Sequence, residues 1–162
     1  MKRTGQTMIN KLTGKLQIKI YRETDNPMPE YKNDGDAGLD IRSNEDIRVR
    51  AFNWVTIGTG LYIVIPYGYE GQVRSRSGLA AKFGLQVLNS PGTIDSGYRE
   101  ELKIIMMNHN HNPYEINKGD RIAQLVIKQV EHAQLNVIDK EEHNTETENI
   151  NRGGGLGSTG VK

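Results

Sequence analysis

Apolar and polar residues alternate along most of this chain in short runs. Leu16, Ile18 and Ile20 take every second place in KLQIKIY, Ile47 and Val49 in DIRVRA, and Leu61, Ile63 and Ile65 in GLYIVIP. The segments LQVLN, LKIIMMN and RIAQLVIKQV are rich in aliphatic residues. A period of two over short runs is the pattern of strands that bury one face. Turn-forming residues separate the runs: Asn26-Pro27, Asp34-Gly35, Pro66-Tyr67-Gly68, Pro91-Gly92, Asn112-Pro113 and Lys118-Gly119-Asp120. Only SGLAAKFG, from Ser77 to Gly84, reads as a short helix. No amphipathic stretch is long enough for a packed helix, and there is no internal repeat. The pattern predicts an all-β domain, as a barrel, sandwich or jelly roll.

At 162 residues the chain is sized for one domain with a real core. The pattern divides it into an N-terminal extension over 1–10, the β domain over 11–138 and a flexible C-terminal arm over 139–162. A net charge of +1 provides no broad positive field, so direct nucleic-acid binding is not expected and an anionic ligand must be caught locally. The absence of cysteine excludes disulfides and thiolate metal sites. The start, MKRTGQTMINKLTGK, has no apolar h-region, and no apolar stretch approaches a membrane span. The expectation is a cytoplasmic protein without a membrane partner, of a type that suits a bacterial or phage source. Met8 offers an alternative start. After Val137 the segment DKEEHNTETENINR is polar and acidic, the composition of a disordered segment. About 20 extended residues reach roughly 60–70 Å, far enough to cross onto a neighbouring subunit.

Several segments carry residues suited to chemistry. In GQVRSRSGLA a strand ends in Arg-Ser-Arg-Ser-Gly before a helical turn. Backbone N–H groups, a hydroxyl and a guanidinium together make an anion site; the same residues also suit a strand edge with solvated arginines and a Ser N-cap. In NSPGTIDSGYREE, turns at Pro91-Gly92 and Ser96-Gly97 put Thr93-Ile94-Asp95 in or beside a hairpin. Such a hairpin offers backbone groups to the edge of a flat ligand, with Asp95 as a general base and Tyr98 as an aromatic platform. A turn aspartate and a packed tyrosine would look the same. Asp40 in GDAGLDI and Gln124 in KGDRIAQLVI are polar residues on strands, which also occur for structural reasons. The terminal RGGGLGSTG is not a Walker A loop, because no Lys follows its glycines. Its glycines still let backbone approach phosphates, with Arg152, Ser158 and Thr159 as donors; otherwise it is a linker. His109 and His111 lie at i, i+2 as on one strand face, but no third ligand is near in sequence, and they read as a polar loop. Trp54 reads as core or subunit interface, and the acidic run near Glu141 as a solvated face.

Taken in order, AGLD, RSGLA after PYGYEGQVRS, NSPGTIDSGYREE, GDRIAQL and RGGGLGSTG resemble the five motifs of the homotrimeric dUTPase family. The resemblance runs from about Leu16 to Gly160 with similar spacing. It implies a jelly-roll (β-clip-like) fold and a homotrimer whose active sites are each built from several chains, with the arm closing over a neighbour's nucleotide. It implies Mg²⁺-dependent hydrolysis of dUTP to dUMP and pyrophosphate, which limits uracil in DNA and supplies dUMP for thymidylate. Asp95 then resembles the family's water-activating base. Tyr98 would lie against the deoxyribose and exclude a 2′-hydroxyl. Asn89 and the backbone of Gly92, Thr93 and Ile94 would read the uracil edge. Arg76, Ser77, Gly78 and Gln124 would hold the phosphates, joined by Arg152, Gly157, Ser158 and Thr159 from the arm. Asp40 would orient magnesium-bound water, with the ion held mostly by the triphosphate and water. There is one departure. Many members carry Phe where Leu156 stands, and the last motif is one residue shorter here, so either another aromatic supplies the stack on the base or the arm relies on phosphate contacts, with Leu156 covering the base by apolar contact. Two other readings share the phosphate motifs: a dCTP deaminase-like enzyme of the same fold, and a nucleotide-sensing, protein-binding regulator. The intact TIDSGYREE stretch favours the dUTPase reading over the deaminase, and the complete set of motifs favours catalysis over a purely regulatory protein, with regulation in addition to catalysis left open.

Overall fold

The computed structural model describes residues 14–147. They fall into two units, divided between Glu131 and His132. The first unit carries, in chain order, β1 (Lys19–Arg22), β2 (Leu39–Arg42), β3 (Ile47–Val49), β4 (Trp54–Val64), β5 (Tyr69–Arg74), α1 (Ser77–Phe83), β6 (Leu85–Val87), β7 (Gly92–Ile94), β8 (Glu101–Asn108), β9 (Tyr114–Ile116) and β10 (Arg121–Gln129). One sheet has the order β1-β4-β8-β6, a second β2-β10-β5-β7, and β3 pairs with β9 in a ribbon. All these pairings are antiparallel, and the fold is a jelly roll.

Period two decides which face of each strand turns inward. Ile57, Leu61 and Ile63 of β4 meet Leu102, Ile104 and Met106 of β8 in one continuous core with Val73 of β5 and Leu125 of β10. Turn chemistry connects the strands. Gly68 (φ +85°) and Gly119 (φ +92°) adopt the left-handed region that closes the β4–β5 and β9–β10 turns, and a side chain at either position would be strained. The outer face of the first sheet is less polar than its position suggests. Trp54 is 55% exposed and Leu88 47%, beside half-buried Ile105 and Met107. Trp54 is therefore not a core residue of this chain.

Among the described residues one buried side-chain polar atom, Asn44 Oδ1, has no hydrogen-bond partner, while the others are paired. Asn108 is fully buried, and its Nδ2 donates to the carbonyls of Val49 (3.1 Å) and Asn112 (2.9 Å), while its Oδ1 accepts from the N–H of Asn110 (2.8 Å). It ties the end of β8 to β3 and to the loop leading into β9. Asn108→Ala strands a buried carbonyl and opens a void, and a loss of about 2–3 kcal/mol is expected. A urea titration checks this through a lowered midpoint at unchanged slope.

Three expectations change in this unit. β7 does not form a local hairpin: it pairs with β5, because the chain after Tyr98 crosses to the other sheet as β8. The two histidines do not share a strand face, because β8 stops at Asn108. His109 Nε2 meets Gln86 Oε1 at 3.0 Å, and His111 packs edge-on against Phe52, as a polar loop does. Ser77 does not cap α1; Arg76 holds the N-cap position and Ser77 begins the helix.

The second unit contains α2 (Lys140–Thr147), where composition gave no regular structure. The helix buries no residue, so no amphipathic stripe marks it. Its start has a local cause. Asp139 Oδ1 accepts from the N–H groups of Glu141 and Glu142 at 2.9 Å each, and those two acids favour the first turn. Among the described residues no helix is long and apolar enough to cross a membrane.

Candidate active site

The registers of the second sheet lay its polar residues out in rows. Asp40 on β2 faces Gln124 on β10, which faces Arg74 on β5. Beyond Arg74 the chain turns through Ser75 and Arg76 into α1, which brings Arg76 to the same end of the sheet. Arg76 reaches back across the strands. Its Nε donates to Asp40 Oδ1 at 3.0 Å and its Nη1 to the Arg121 carbonyl at 2.9 Å. Arg121 Nη1 donates to Asp40 Oδ2 at 2.9 Å. One carboxylate, 24% exposed, thus sits between two guanidiniums, leaving the cluster with surplus positive charge. A cavity of about 320 Å³ opens beside it, lined in part by Met28, Lys32, Arg42 and Arg121. This arrangement suits a polyanion.

Gln124 is seated on two sides. Its Nε2 donates to the Ser75 carbonyl at 2.9 Å, and its Oε1 lies over Gly38, where a Cβ would stand 2.3 Å away. The second N–H of the carboxamide is left to meet a ligand. Ser77 and Gly78 are exposed at the start of α1, and a Cβ on Gly78 would meet nothing within 4 Å.

β7 forms the opposite edge of this sheet and is hydrogen-bonded only to β5. The outward backbone groups of Gly92–Ile94 are therefore open to an incoming planar ligand, as on any edge strand. Asn89 folds over Gly92, with its Nδ2 3.0 Å from the place a Cβ would take, which brings its amide to that edge. Asp95 follows the strand and is exposed. Tyr98 is held at both ends: its N–H donates to the Asp95 carbonyl (3.0 Å) and its hydroxyl to the Glu101 carbonyl (2.8 Å). The half-buried ring is thereby fixed in place by its hydroxyl.

Two groups of residues therefore form within the chain, and they stand apart. Gln124 and Arg74 share a row, whereas Ile94 pairs with Gly71, a row about 10 Å farther along the strands. Arg76 points toward β2 while Asp95 lies past β7, so the two occupy diagonal corners of the sheet, on the order of 15–20 Å apart. Arg152, Leu156, Gly157, Ser158 and Thr159 lie outside the described residues.

Sequence reasoning overlooked Arg121, Ser75 and Gly38. A register shift between Arg121 and Ala123 breaks the period of two, so counting along β10 puts Arg121 on the wrong face. Gly38 could have been found in AGLD as a glycine that no turn requires.

Chemically, an open edge strand can pair with the edge of a base, a guanidinium cluster with phosphates, and an exposed carboxylate can take a proton from water. Comparison with known proteins identifies the family. The family model described as dUTPase matches residues 11–160. A deoxyuridine 5′-triphosphate nucleotidohydrolase of a Hydrogenobaculum species is 47% identical, with 91% of this chain and 99% of its own length aligned. That of a Wolbachia species is 44% identical, with 96% and 99% aligned. Among solved structures, a Staphylococcus bacteriophage 80alpha dUTPase mutant with dUpNHpp superposes with a TM-score of 0.77 at 29% identity, covering 90% of this chain and 99% of that one. A mutant dUTPase from phage phi11 of S. aureus, described for its coordination of a structural Mg(II) ion, superposes at 0.71 and 28% identity, covering 76% and 97%. On this agreement of motifs, fold and similarity over nearly the full length, the chain belongs to the dUTPase family.

Proposed function

We propose that this protein hydrolyses dUTP to dUMP and pyrophosphate as a homotrimer in the cytoplasm. The observation that carries the reading is the pairing of an open edge strand, Gly92–Ile94, with an exposed carboxylate, Asp95, and a fixed ring, Tyr98, directly after it. Asn89 and the β7 backbone hydrogen-bond the uracil edge. Tyr98 packs on the deoxyribose and leaves no space for a 2′-hydroxyl. Asp95 accepts a proton from water as the water oxygen bonds to the α-phosphorus. The bond from that phosphorus to the bridging oxygen breaks, and pyrophosphate leaves with the electron pair. Arg76, Ser77, Gly78 and Gln124 donate to the phosphate oxygens on which charge accumulates.

A general base must stand within about one water of its target. Asp95 and Arg76 of one chain are too far apart for that, so the Asp95 of one copy serves phosphates gripped by Arg76 of another. The arm supplies Arg152, Gly157, Ser158 and Thr159 to the phosphates and Leu156 to the base. Mg²⁺ supplies charge neutralisation on the triphosphate. Among the described residues no three His, Cys, Asp or Glu side chains converge, and both oxygens of Asp40 already accept from guanidiniums. The residues therefore fit an ion held by triphosphate and water, with Asp40 contacting a bound water through a remaining lone pair.

Pyrophosphate release measured side by side on dUTP, dTTP, dCTP and UTP tests this, with kcat/KM expected to be far higher on dUTP than on the other three. Ammonia from dCTP without pyrophosphate from dUTP would overturn it in favour of a deaminase. Gly38→Ala gives a second check. The added methyl takes the space of Gln124 Oε1 and drives the carboxamide off the Ser75 carbonyl. Nucleotide affinity should weaken about tenfold with little change in melting temperature, as read by calorimetry with a non-hydrolysable analogue.

A further inference from the structure

Ser75 bonds both to the phosphate-side group of its chain and to the turn that carries Asn89, two groups that on the reading above serve different sites of the assembly. Its carbonyl accepts from Gln124 Nε2 at 2.9 Å, on the phosphate side. Its hydroxyl accepts from the Val87 N–H at 2.9 Å, and its own N–H donates to Ser90 Oγ at 3.3 Å. Val87 ends β6, and Ser90 lies in the turn that follows. The two contacts therefore grip that turn at both ends, with Leu88 and Asn89 between them. Asn89 is the residue folded over Gly92 at the open edge of β7. Ser75 also follows directly on Arg74, the last residue of β5, so its backbone is fixed by the central part of the sheet.

We propose that Ser75 is a positioning residue that sets the base-reading turn against β7 and so determines base selectivity, while its carbonyl seats Gln124. This rests on the reading that Asn89 and Gly92–Ile94 meet the base. The division of labour within one residue makes the role separable. Removing the hydroxyl frees the turn at Val87 but leaves the backbone carbonyl, and with it Gln124, in place. Selectivity among bases should then change without a change in the hold on phosphates.

The test is Ser75→Ala in the full-length protein, with Ser75→Thr as the conservative variant. The ratio of kcat/KM for dUTP to that for dCTP should fall about tenfold in Ser75→Ala and return in Ser75→Thr, the size expected for one lost orienting hydrogen bond. Inhibition by inorganic pyrophosphate should be unchanged. An equal loss on both substrates, or a weakened pyrophosphate contact, would make Ser75 a structural residue only and overturn the proposal. If Ser75→Ala does not fold, Ser90→Ala, which cuts only the contact to the turn, should lower the same ratio about threefold; an unaltered ratio there overturns it as well. A wild-type protein that releases no pyrophosphate from dUTP would reject the enzymatic reading itself. Hydrogen exchange at the Val87 amide then decides the positioning claim, faster in Ser75→Ala if it holds and unchanged if it does not.

Discussion

Asp95→Asn is expected to lower kcat on dUTP by about a thousandfold while nucleotide affinity stays within a few-fold of wild type, the span assigned to a general base. Asparagine keeps the size and polarity of the side chain but cannot accept the water's proton. Asp95 is exposed after β7, and among the described residues no ion pair engages its carboxylate. The substitution therefore removes chemistry without removing a structural contact, and folding should be unaffected. Its backbone carbonyl still receives the Tyr98 N–H, so the wall beside the sugar remains in place. Single-turnover pyrophosphate release, with binding of the intact nucleotide measured on the same variant, separates the two effects. A variant that turns over at near-normal rate would remove Asp95 from the base role. One that no longer binds would make it a ligand contact.

The second large effect is recovery of activity on mixing two inactive variants. Arg76→Ala removes the guanidinium that spans Asp40 and the Arg121 carbonyl, and with it a donor to the phosphates. Alone, it should be as inactive as Asp95→Asn. Because the two residues stand at diagonal corners of one sheet, the proposed reading has each site take them from different copies. Co-refolding equal amounts of the two variants leaves some sites with an intact Asp95 and an intact Arg76. With random assortment about one quarter of the sites are complete, and about a quarter of wild-type activity should return. If both residues served a site within one chain, every site in the mixture would carry one lesion and no activity would return.

Much of this architecture was legible because long strands repeat their pattern. β4 alternates clearly at Leu61, Ile63 and Ile65, while β8 and β10 were marked by runs of aliphatic residues, and buried residues of all three are found in the core. β9 spans only Tyr114–Ile116, too short to show a period, and was not seen. The partner of β7 was also hidden. Turn residues speak for local pairing, whereas Gly92 meets Val73 across the sheet through tertiary packing. Residues with intrinsic chemistry, such as Asp95, Arg76 and Gln124, stood out by type. Ser75 did not, because a serine beside two arginines announces nothing until Val87, Ser90 and Gln124 are brought to it. Arg121 was masked by the shift in register, and Gly38 could only be understood once the carboxamide above it was in view. Sequence displays periodicity and chemical type; it does not display which distant atoms share a volume.

The exposed indole of Trp54 has an optical consequence. It is the only tryptophan in the chain, and it stands on the outer face of the first sheet opposite Met107. An isolated chain thus carries a single indole, in contact with water, with no second indole to blur its emission when it is excited beyond the absorption of the tyrosines. Assembly through this face would move the emission to shorter wavelength and shield it from dissolved iodide, whereas assembly through any other face would leave it unchanged. The colour of one indole thus tells which face the copies use, without a label and without substrate.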